Sequence, residues 1–337
     1  MPDPCHLRLA CRNYDGTNAI LRGVLDAPGI ELEAVEQPRV QDMFAAMYRG
    51  EFDASEMSLA ELVYYTSRNK SDFIGIPVFP SRMFRHGCIV VRRDAGIDTP
   101  EDLVGKRLGF LRWVQTAAVW MRGTLVNEYG VTPANSQWVA GSLHHWDGDA
   151  DAAETSVRLP GGAEIEVLQG EGSAADRAMA ALREGGLHML GVTETQLPPL
   201  LADPALKRLF EGYRDVEAEY FKKTRILPIM HVLAVKTSVV EKNPDVPAAL
   251  FDLFSRGKRQ ARQRFADMPS QVVAWPRHAL EQERTVFGGD PCPYGLDANR
   301  DVLNTFIEYC EAQGICERNL SPEELFAPQT WELTEPE

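Results

Sequence analysis

The sequence lacks the features that mark membrane, secreted and nucleic-acid-binding proteins. Its 337 residues contain no apolar run long enough to span a membrane, and no apolar segment follows a positively charged start. We therefore expect no membrane partner and a cytoplasmic location. Lys and Arg number 35 against 49 Asp and Glu, a net charge of −14, which disfavours nucleic acid as a partner. An anionic small molecule is compatible with that charge, because a local basic pocket can form on an acidic protein.

Metal-ligand spacing is also missing from the chain. The six cysteines include no C-x-x-C pair, and the seven histidines form no H-x-H or H-E-x-x-H pattern. Reduced thiols are the simplest interpretation. One cluster of metal-ligand types, His144, His145, Asp147 and Asp149, lies in an acidic segment at 143–160 that we interpret as a surface loop. Adjacent residues rarely converge on one ion, so we predict no metal, no cofactor, and activity that survives chelation.

What the chain does contain is an alternation of strand-like and helix-like segments. Strands are predicted at 7–11, 30–35, 52–57, 73–79, 88–91, 106–111, 137–140, 164–168 and 187–192, with a further buried run at 226–235. Helices are predicted at 18–25, 40–48, 59–67, 99–103, 116–129, 174–184, 198–210, 246–265 and 301–312. This alternation is typical of βαβ units with a mainly parallel sheet. The length favours two domains, and a helix–Gly–strand–acid pattern at 47–56 recurs at 181–194.

The stretch at 80–93 combines basic side chains with a buried strand. It begins as a loop and ends in the β-branched run at 88–91. Arg82, Arg85 and His86 lie just before that run. Basic side chains at the mouth of a buried strand can present charge to an anion, whereas pairing with surface acids is the alternative. His86 alone would equally suit a hydrogen-bonded structural histidine.

Several short blocks, in this order along the chain, resemble the 4,5-dihydroxyphthalate decarboxylase family. They are Arg85–Gly87, Thr99–Lys106, Thr116–Gly123, Tyr129–Val131, Pro228–His231 and Pro293–Gly295, and the resemblance runs from about residue 5 to 328. The blocks T-A-A-V-W-M-R-G and P-I-M-H are specific. The block P-E-D-L-V-G-K is shared with many solute-binding proteins and supports only the fold.

The resemblance implies an α/β fold of the type II periplasmic-binding-protein-like class. Two lobes would enclose a central ligand cleft and be joined by two crossovers, near 85–93 and 224–236. Lobe I would comprise 1–88 and 230–337, and lobe II 89–229. His86 and His231 would then lie at the same cleft, and clefts of this kind bind ligands. The oligomeric state stays open, and a homo-oligomer is compatible with the sequence.

The resemblance also implies a carboxy-lyase of phthalate catabolism that acts on an aromatic carboxylate. The expected reaction converts 4,5-dihydroxyphthalate to protocatechuate by ring protonation and loss of carbon dioxide. It requires a proton donor, acceptors for the ring hydroxyls and a cation for the retained carboxylate. The catalytic candidates are His86, His231, Glu56 and Glu194, and the substrate-binding candidates are Asp15, Asn18, Ser58, Arg82, Arg85 and Thr116.

Two alternatives remain open at this point. Either histidine could donate the proton, and a carboxylic acid at Glu56 or Glu194 could do so if neither histidine does. The whole protein could instead be a non-catalytic solute-binding protein or sensor for an anionic aromatic ligand.

Overall fold

The computed structural model describes residues 5–143, 156–267 and 274–335. The chain divides into two compact units. The first comprises Met1–Arg82, Ile229–Asn304 and Leu320–Glu337, and the second Met83–Pro228 and Thr305–Asn319. These bounds differ from the predicted lobes in three places, because residues 83–88 and 305–319 group with the second unit and residue 229 groups with the first. The later half of the helix Arg300–Ala312 groups with the second unit because it packs on the aromatic core of that unit. The ring centroids of Trp120 and Phe306 are 5.1 Å apart there.

The first unit is built around a five-stranded sheet within the described ranges. Its elements are β1 (Cys5–Cys11), α1 (Asn18–Leu21), β2 (Ile30–Glu36), α2 (Val40–Tyr48), β3 (Ala54–Ser58), α3 (Leu59–Ser67), β4 (Phe73–Arg82), β12 (Ile229–Lys236), α8 (Thr237–Lys242), α9 (Val246–Ala266), α10 (Pro276–Phe287) and the start of α11 (Arg300–Ala312). The strand order is β2-β1-β3-β12-β4. β1 is parallel to β2 and β3, whereas β12 is antiparallel to β3 and β4.

Position in this sheet explains which polar residues are buried. β3 has a neighbour on each side, and all five of its residues are buried, including Glu56. A buried carboxylate needs hydrogen-bond donors around it.

The predicted loop at 80–82 is wrong, because β4 continues through Arg82. β4 is at an edge of the sheet, where a proline can be accommodated without losing a ladder hydrogen bond. Its pairing with β12 is irregular here, with register shifts on either side of His231.

The second unit carries a seven-stranded sheet within the described part of the chain. Its elements are β5 (Ile89–Arg92), β6 (Arg107–Phe110), α4 (Thr116–Tyr129), β7 (Gln137–Ala140), β8 (Ser156–Arg158), β9 (Glu164–Val167), α5 (Ala174–Glu184), β10 (Met189–Gly191), α6 (Leu197–Leu201), β11 (Leu206–Arg208) and α7 (Tyr213–Thr224), with 3-10 turns at His86–Cys88 and Pro100–Leu103. The strand order is β11-β5-β10-β6-β7-β9-β8.

Local structure differs from the sequence prediction in other regions too. The region 198–210 is not one helix, because α6 ends at Leu201 and β11 then pairs antiparallel with β5. The helices α7, α8 and α10 were not predicted. Residues 144–155 of the predicted acidic loop lie outside the described residues. No helix in the described ranges is both long and apolar enough to cross a membrane.

Candidate active site

Strands β3 and β12 bring Glu56 and His231 together in the first unit. Leu233 is opposite Glu56 and Ser58 opposite His231 in the antiparallel register, so the two side chains are diagonal neighbours on one face. The Nδ1 atom of His231 lies 2.5 Å from Oε1 of Glu56. The Glu56 side chain has no exposed surface, and that of His231 is 18% exposed.

Two other donors hold the same carboxylate. The hydroxyl of Tyr14 donates to Oε1 of Glu56 at 2.6 Å, and the backbone N–H of Arg12 donates to Oε2 at 3.1 Å. Burial and the adjacent Glu56 carboxylate raise the pKa of Tyr14 well above its ordinary value, so its hydroxyl stays protonated and donates. The carboxylate is thereby fixed in orientation and in turn fixes the imidazole.

A carboxylate bound to one imidazole nitrogen is a common arrangement for acid–base catalysis. The carboxylate sets the tautomer and orientation of the ring, and the other nitrogen then exchanges a proton with the substrate. With Nδ1 of His231 bound to Glu56, Nε2 is the nitrogen that can do this. The ring of Phe44 packs edge-on against His231, with centroids 5.2 Å apart, and further restricts it.

The remaining candidates of the first unit occupy several environments. Ser58 is buried beside His231, on the neighbouring strand. Asn18 is the first residue of α1, after the N-cap Thr17, and its amide donates to the Asn13 side chain at 3.0 Å. Asp15 is exposed in the turn between β1 and α1. Their substrate-binding roles stay predictions.

Arg82 contacts neutral oxygens of a neighbouring loop. Its Nη2 donates to the Pro293 carbonyl at 2.7 Å and to Oδ1 of Asn299. Burial lowers the pKa of Arg82 to about 10. These contacts hold the loop that contains the P-Y-G block, and the predicted contact of Arg82 with substrate stays a prediction.

In the second unit, Arg85 forms an ion pair with Glu194. Nη1 of Arg85 lies 2.7 Å from Oε1 of Glu194, with side-chain exposures of 9% and 45%. The Cys88 thiol donates to the same oxygen at 3.3 Å. Burial acts to raise the pKa of Glu194, but the Arg85 charge and hydrogen bonds outweigh it and hold the pKa below its ordinary value. Glu194 is therefore ionised at neutral pH and is poorly suited to donate a proton.

His86 lies in an apolar environment. Its ring contacts Phe210 and Tyr220, with centroid distances of 5.3 and 5.1 Å. Among the residues that the structure describes, neither ring nitrogen has a hydrogen-bond partner. Burial lowers the pKa of His86 to about 4, so the ring is neutral at pH 7. His86 and Thr124 both line an adjoining cavity of about 10 Å³. This is about the volume that one water molecule needs.

Sequence reasoning missed Tyr14 and Glu217 as site residues. Oε1 of Glu217, on α7, accepts from the N–H of Gly87 at 3.1 Å. Burial raises the pKa of Glu217 to about 7. Tyr14 lies in the turn shortly after the end of β1 at Cys11, which was a usable signal, whereas α7 itself was not predicted and gave none.

Thr116 is buried at the first position of α4, as predicted, and a buried arginine supports the preceding turn. Arg122, from the T-A-A-V-W-M-R-G block, donates to the Trp113 carbonyl and to Oε1 of Gln313, both at 2.6 Å. Its guanidinium lies 3.8 Å from the Trp113 ring centroid, and burial lowers its pKa to about 9. This motif residue therefore shapes the entry to α4.

The described residues contain no group of three or more His, Cys, Asp or Glu side chains that could hold a metal ion. The cluster at His144, His145, Asp147 and Asp149 lies outside them. The expectation of a metal-independent protein stays a prediction.

Two curated proteins resemble the chain in sequence. A 4,5-dihydroxyphthalate decarboxylase of Comamonas testosteroni is 33% identical over 330 residues, which are 97% of this chain and 97% of that protein. One of Pseudomonas putida is 34% identical over 136 residues, 40% of this chain and 53% of that protein. No protein-family model matches the chain.

Solved structures show which fold these residues adopt. The periplasmic aliphatic sulphonate-binding protein SsuA of Escherichia coli aligns with a TM-score of 0.56 at 14% identity, over 98% of this chain and 100% of that one. SsuA of Xanthomonas axonopodis pv. citri aligns with a TM-score of 0.54 at 14% identity, over 98% of each chain. The predicted periplasmic-binding-protein-like α/β fold is confirmed.

Proposed function

This chain belongs to the 4,5-dihydroxyphthalate decarboxylase family, and we propose that it removes one carboxylate, without oxidation, from a hydroxylated aromatic dicarboxylic acid. The first substrate to test is 4,5-dihydroxyphthalate, with protocatechuate as product. The observation that carries the proposal is the buried Glu56 carboxylate bound to Nδ1 of His231. A place in phthalate breakdown and a cytoplasmic location accompany the proposal as predictions.

The reaction requires the protein mainly to place one proton donor beside the ring carbon that loses its carboxylate. Each carboxylate of this substrate has a hydroxyl para to it on the ring. Protonation of the ring carbon that bears the carboxylate uses electrons that this hydroxyl supplies. The bond to the carboxylate then breaks, its electron pair restores the aromatic ring, and carbon dioxide leaves. The balance is one substrate and one proton in, and one carbon dioxide and one monoacid out.

His231 is the proposed proton donor. The Glu56 carboxylate at Nδ1 fixes the orientation of the ring and leaves Nε2 as the nitrogen that can give a proton to the substrate. His86 is a weaker candidate, because a ring with a pKa near 4 carries almost no proton at pH 7. Glu194 is ionised beside Arg85, which makes it a weaker candidate too.

Arg85 is the proposed cation for the carboxylate that stays on the ring. A guanidinium can bind a carboxylate through two parallel hydrogen bonds. Arg85 is largely buried and already bound to Glu194, so a substrate carboxylate would compete with Glu194 for it. This exchange would favour a dianionic substrate over a neutral one.

The proposal is tested by incubating the protein with 4,5-dihydroxyphthalate and measuring carbon dioxide and protocatechuate together. Equal molar release of both is expected, and in deuterated water the product should carry one deuterium at the carbon that lost carbon dioxide. The His231→Gln variant is the matched control and should bind substrate with little turnover. Tight binding without turnover by the wild-type protein would contradict the proposal and favour the solute-binding alternative.

A further inference from the structure

One oxygen of Glu56 lies within hydrogen-bond distance of two side chains. Oε1 accepts from the Tyr14 hydroxyl at 2.6 Å and lies 2.5 Å from Nδ1 of His231. Both side chains therefore draw on the negative charge of one atom, in a carboxylate that has no exposed surface. Hydrogen bonds weaken when they share an acceptor, and the low local dielectric makes such coupling larger than it would be in water.

The other groups around this pair do not replace Tyr14. The backbone N–H of Arg12 binds the opposite oxygen, and the Arg12 guanidinium lies 5.8 Å from the Tyr14 ring centroid. Burial, with the Glu56 charge second, raises the pKa of Cys11 well above its ordinary value, so that thiol stays neutral. Tyr14 is thus the neutral group able to adjust the charge on Oε1 without titrating near pH 7.

The turn that carries Tyr14 is rigidly held. Thr17 accepts from the Tyr14 N–H at 2.8 Å and donates to the Arg12 carbonyl at 2.6 Å. Helix α9 packs against the turn through Gly257, where an added Cβ would overlap the carbonyl oxygen of Gly16. A turn built this closely keeps the Tyr14 hydroxyl at one position relative to Glu56.

We propose that Tyr14 is a positioning residue that sets the acid strength of His231 by sharing its carboxylate partner. The inference rests on the proposed function. By taking part of the charge on Oε1, Tyr14 makes the carboxylate a weaker partner for the imidazolium. The imidazolium then releases its proton to the ring carbon more readily. Without Tyr14, Glu56 would retain that proton on His231 more strongly.

The test is Tyr14→Phe, which removes one oxygen and keeps the ring. We expect kcat to fall roughly three- to tenfold, the scale of one hydrogen bond, with KM within about twofold. The alkaline limb of the kcat profile should move up by about half to one pH unit, because His231 would keep its proton to higher pH. The Nδ1 proton of His231 should move downfield in NMR spectra as its bond to Glu56 strengthens.

Three further variants distinguish a change in the acid strength of His231 from a general loss of structure. Tyr309→Phe removes a hydroxyl that accepts from Asn127 at 3.2 Å in the second unit, and it should change neither the limb nor the resonance. In a Glu56→Gln background, Tyr14→Phe should have little additional effect, since the shared charge is gone. Gly257→Ala should displace the turn that carries Tyr14. The alkaline limb of the kcat profile should then move to higher pH, as it should in Tyr14→Phe.

A lower kcat for Tyr14→Phe with an unmoved limb and an unmoved Nδ1 proton would overturn the inference and leave Tyr14 a merely structural residue. If the wild-type protein releases no carbon dioxide, the proposed function fails. The Nδ1 proton of Tyr14→Phe still tests the coupling in that case, because its measurement needs no substrate.

Discussion

The imidazole of His231 contacts a buried carboxylate in the first unit, whereas the imidazole of His86 lies among aromatic rings in the second. His231 has Glu56 at 2.5 Å and keeps 18% of its side chain exposed. His86 is 4% exposed, and within the described residues its nitrogens have no hydrogen-bond partner. The sequence indicates both histidines as candidates for the proton donor and does not decide between them.

The difference shows that the partner of a histidine decides its chemistry more than its place beside a strand end. A carboxylate stabilises a charged ring and leaves one nitrogen for a substrate. Aromatic neighbours exclude water and destabilise the charged ring, which leaves His86 neutral. Substitutions on the two sides of this contrast should affect activity to different extents, and most of all at His231.

The largest effect is expected for His231→Gln. Glutamine keeps a polar side chain of similar size but has no proton to donate at neutral pH. Turnover should fall by about two to four orders of magnitude with substrate binding nearly unchanged, the usual scale for a general acid. Single-turnover kinetics and a binding titration with a non-reacting analogue measure the two separately. Turnover near the wild-type rate would remove His231 from the mechanism.

A smaller effect is expected for Arg85→Met in the second unit. Loss of a charged hydrogen bond to the retained carboxylate should raise KM by roughly ten- to a hundredfold, with a lesser loss of kcat from poorer orientation. Glu194→Gln is the matched control, because it frees Arg85 from a competing charge and should lower KM. If both variants change KM in the same direction, Arg85 does not act as the substrate cation.

Replacement of His86 should affect stability more than catalysis. His86→Leu should keep kcat within about threefold of the wild-type value. As pH falls below 6.5, the unfolded chain protonates His86 while the folded protein does so only near pH 4. The wild-type protein should therefore lose stability across this window. The loss amounts to about 3 kcal/mol at about 1.4 kcal/mol per tenfold change in proton affinity.

The variant isolates this contribution from the titration of carboxylates in the same pH range. Urea unfolding of both proteins at pH 7 and pH 4 gives the comparison. His86→Leu should lose about 3 kcal/mol less than the wild-type protein between the two. Equal losses would show that the His86 ring is protonated in the folded state at higher pH than its burial implies.

The smallest effect, no change, is expected on removal of metal ions. Activity should survive prolonged dialysis against a chelator, since the proposed chemistry uses only side-chain protons and charges. Loss of activity that one divalent metal restores would direct attention to His144, His145, Asp147 and Asp149.

Much of the local structure could be predicted because its signals are local. The predicted helix bounds at 40–48, 59–67, 116–129 and 174–184 match α2, α3, α4 and α5. Glycines at the ends of α4 and α5 adopt the left-handed conformation that terminates helices, with φ of 65° at Gly130 and 86° at Gly185.

The elements that the sequence did not predict have a different origin. β11 has only three residues and forms because it pairs with β5. Three residues are too few for a hydrophobic periodicity that would indicate a strand. α7 has charged residues along much of its length and a buried face at Tyr220 and Phe221 that packs within the second unit. Short elements of this kind depend on tertiary contacts more than on intrinsic propensity.

The sequence by itself determined the acidic charge, the alternation of strands and helices, and the family resemblance, because composition, periodicity and motifs are properties of the chain. Only the tertiary structure decided which candidates share a site. Glu56 and His231 are 175 residues apart and meet because β3 and β12 pair in one particular register. A shift of one residue would turn His231 to the other face of the sheet, and no local signal specifies that pairing.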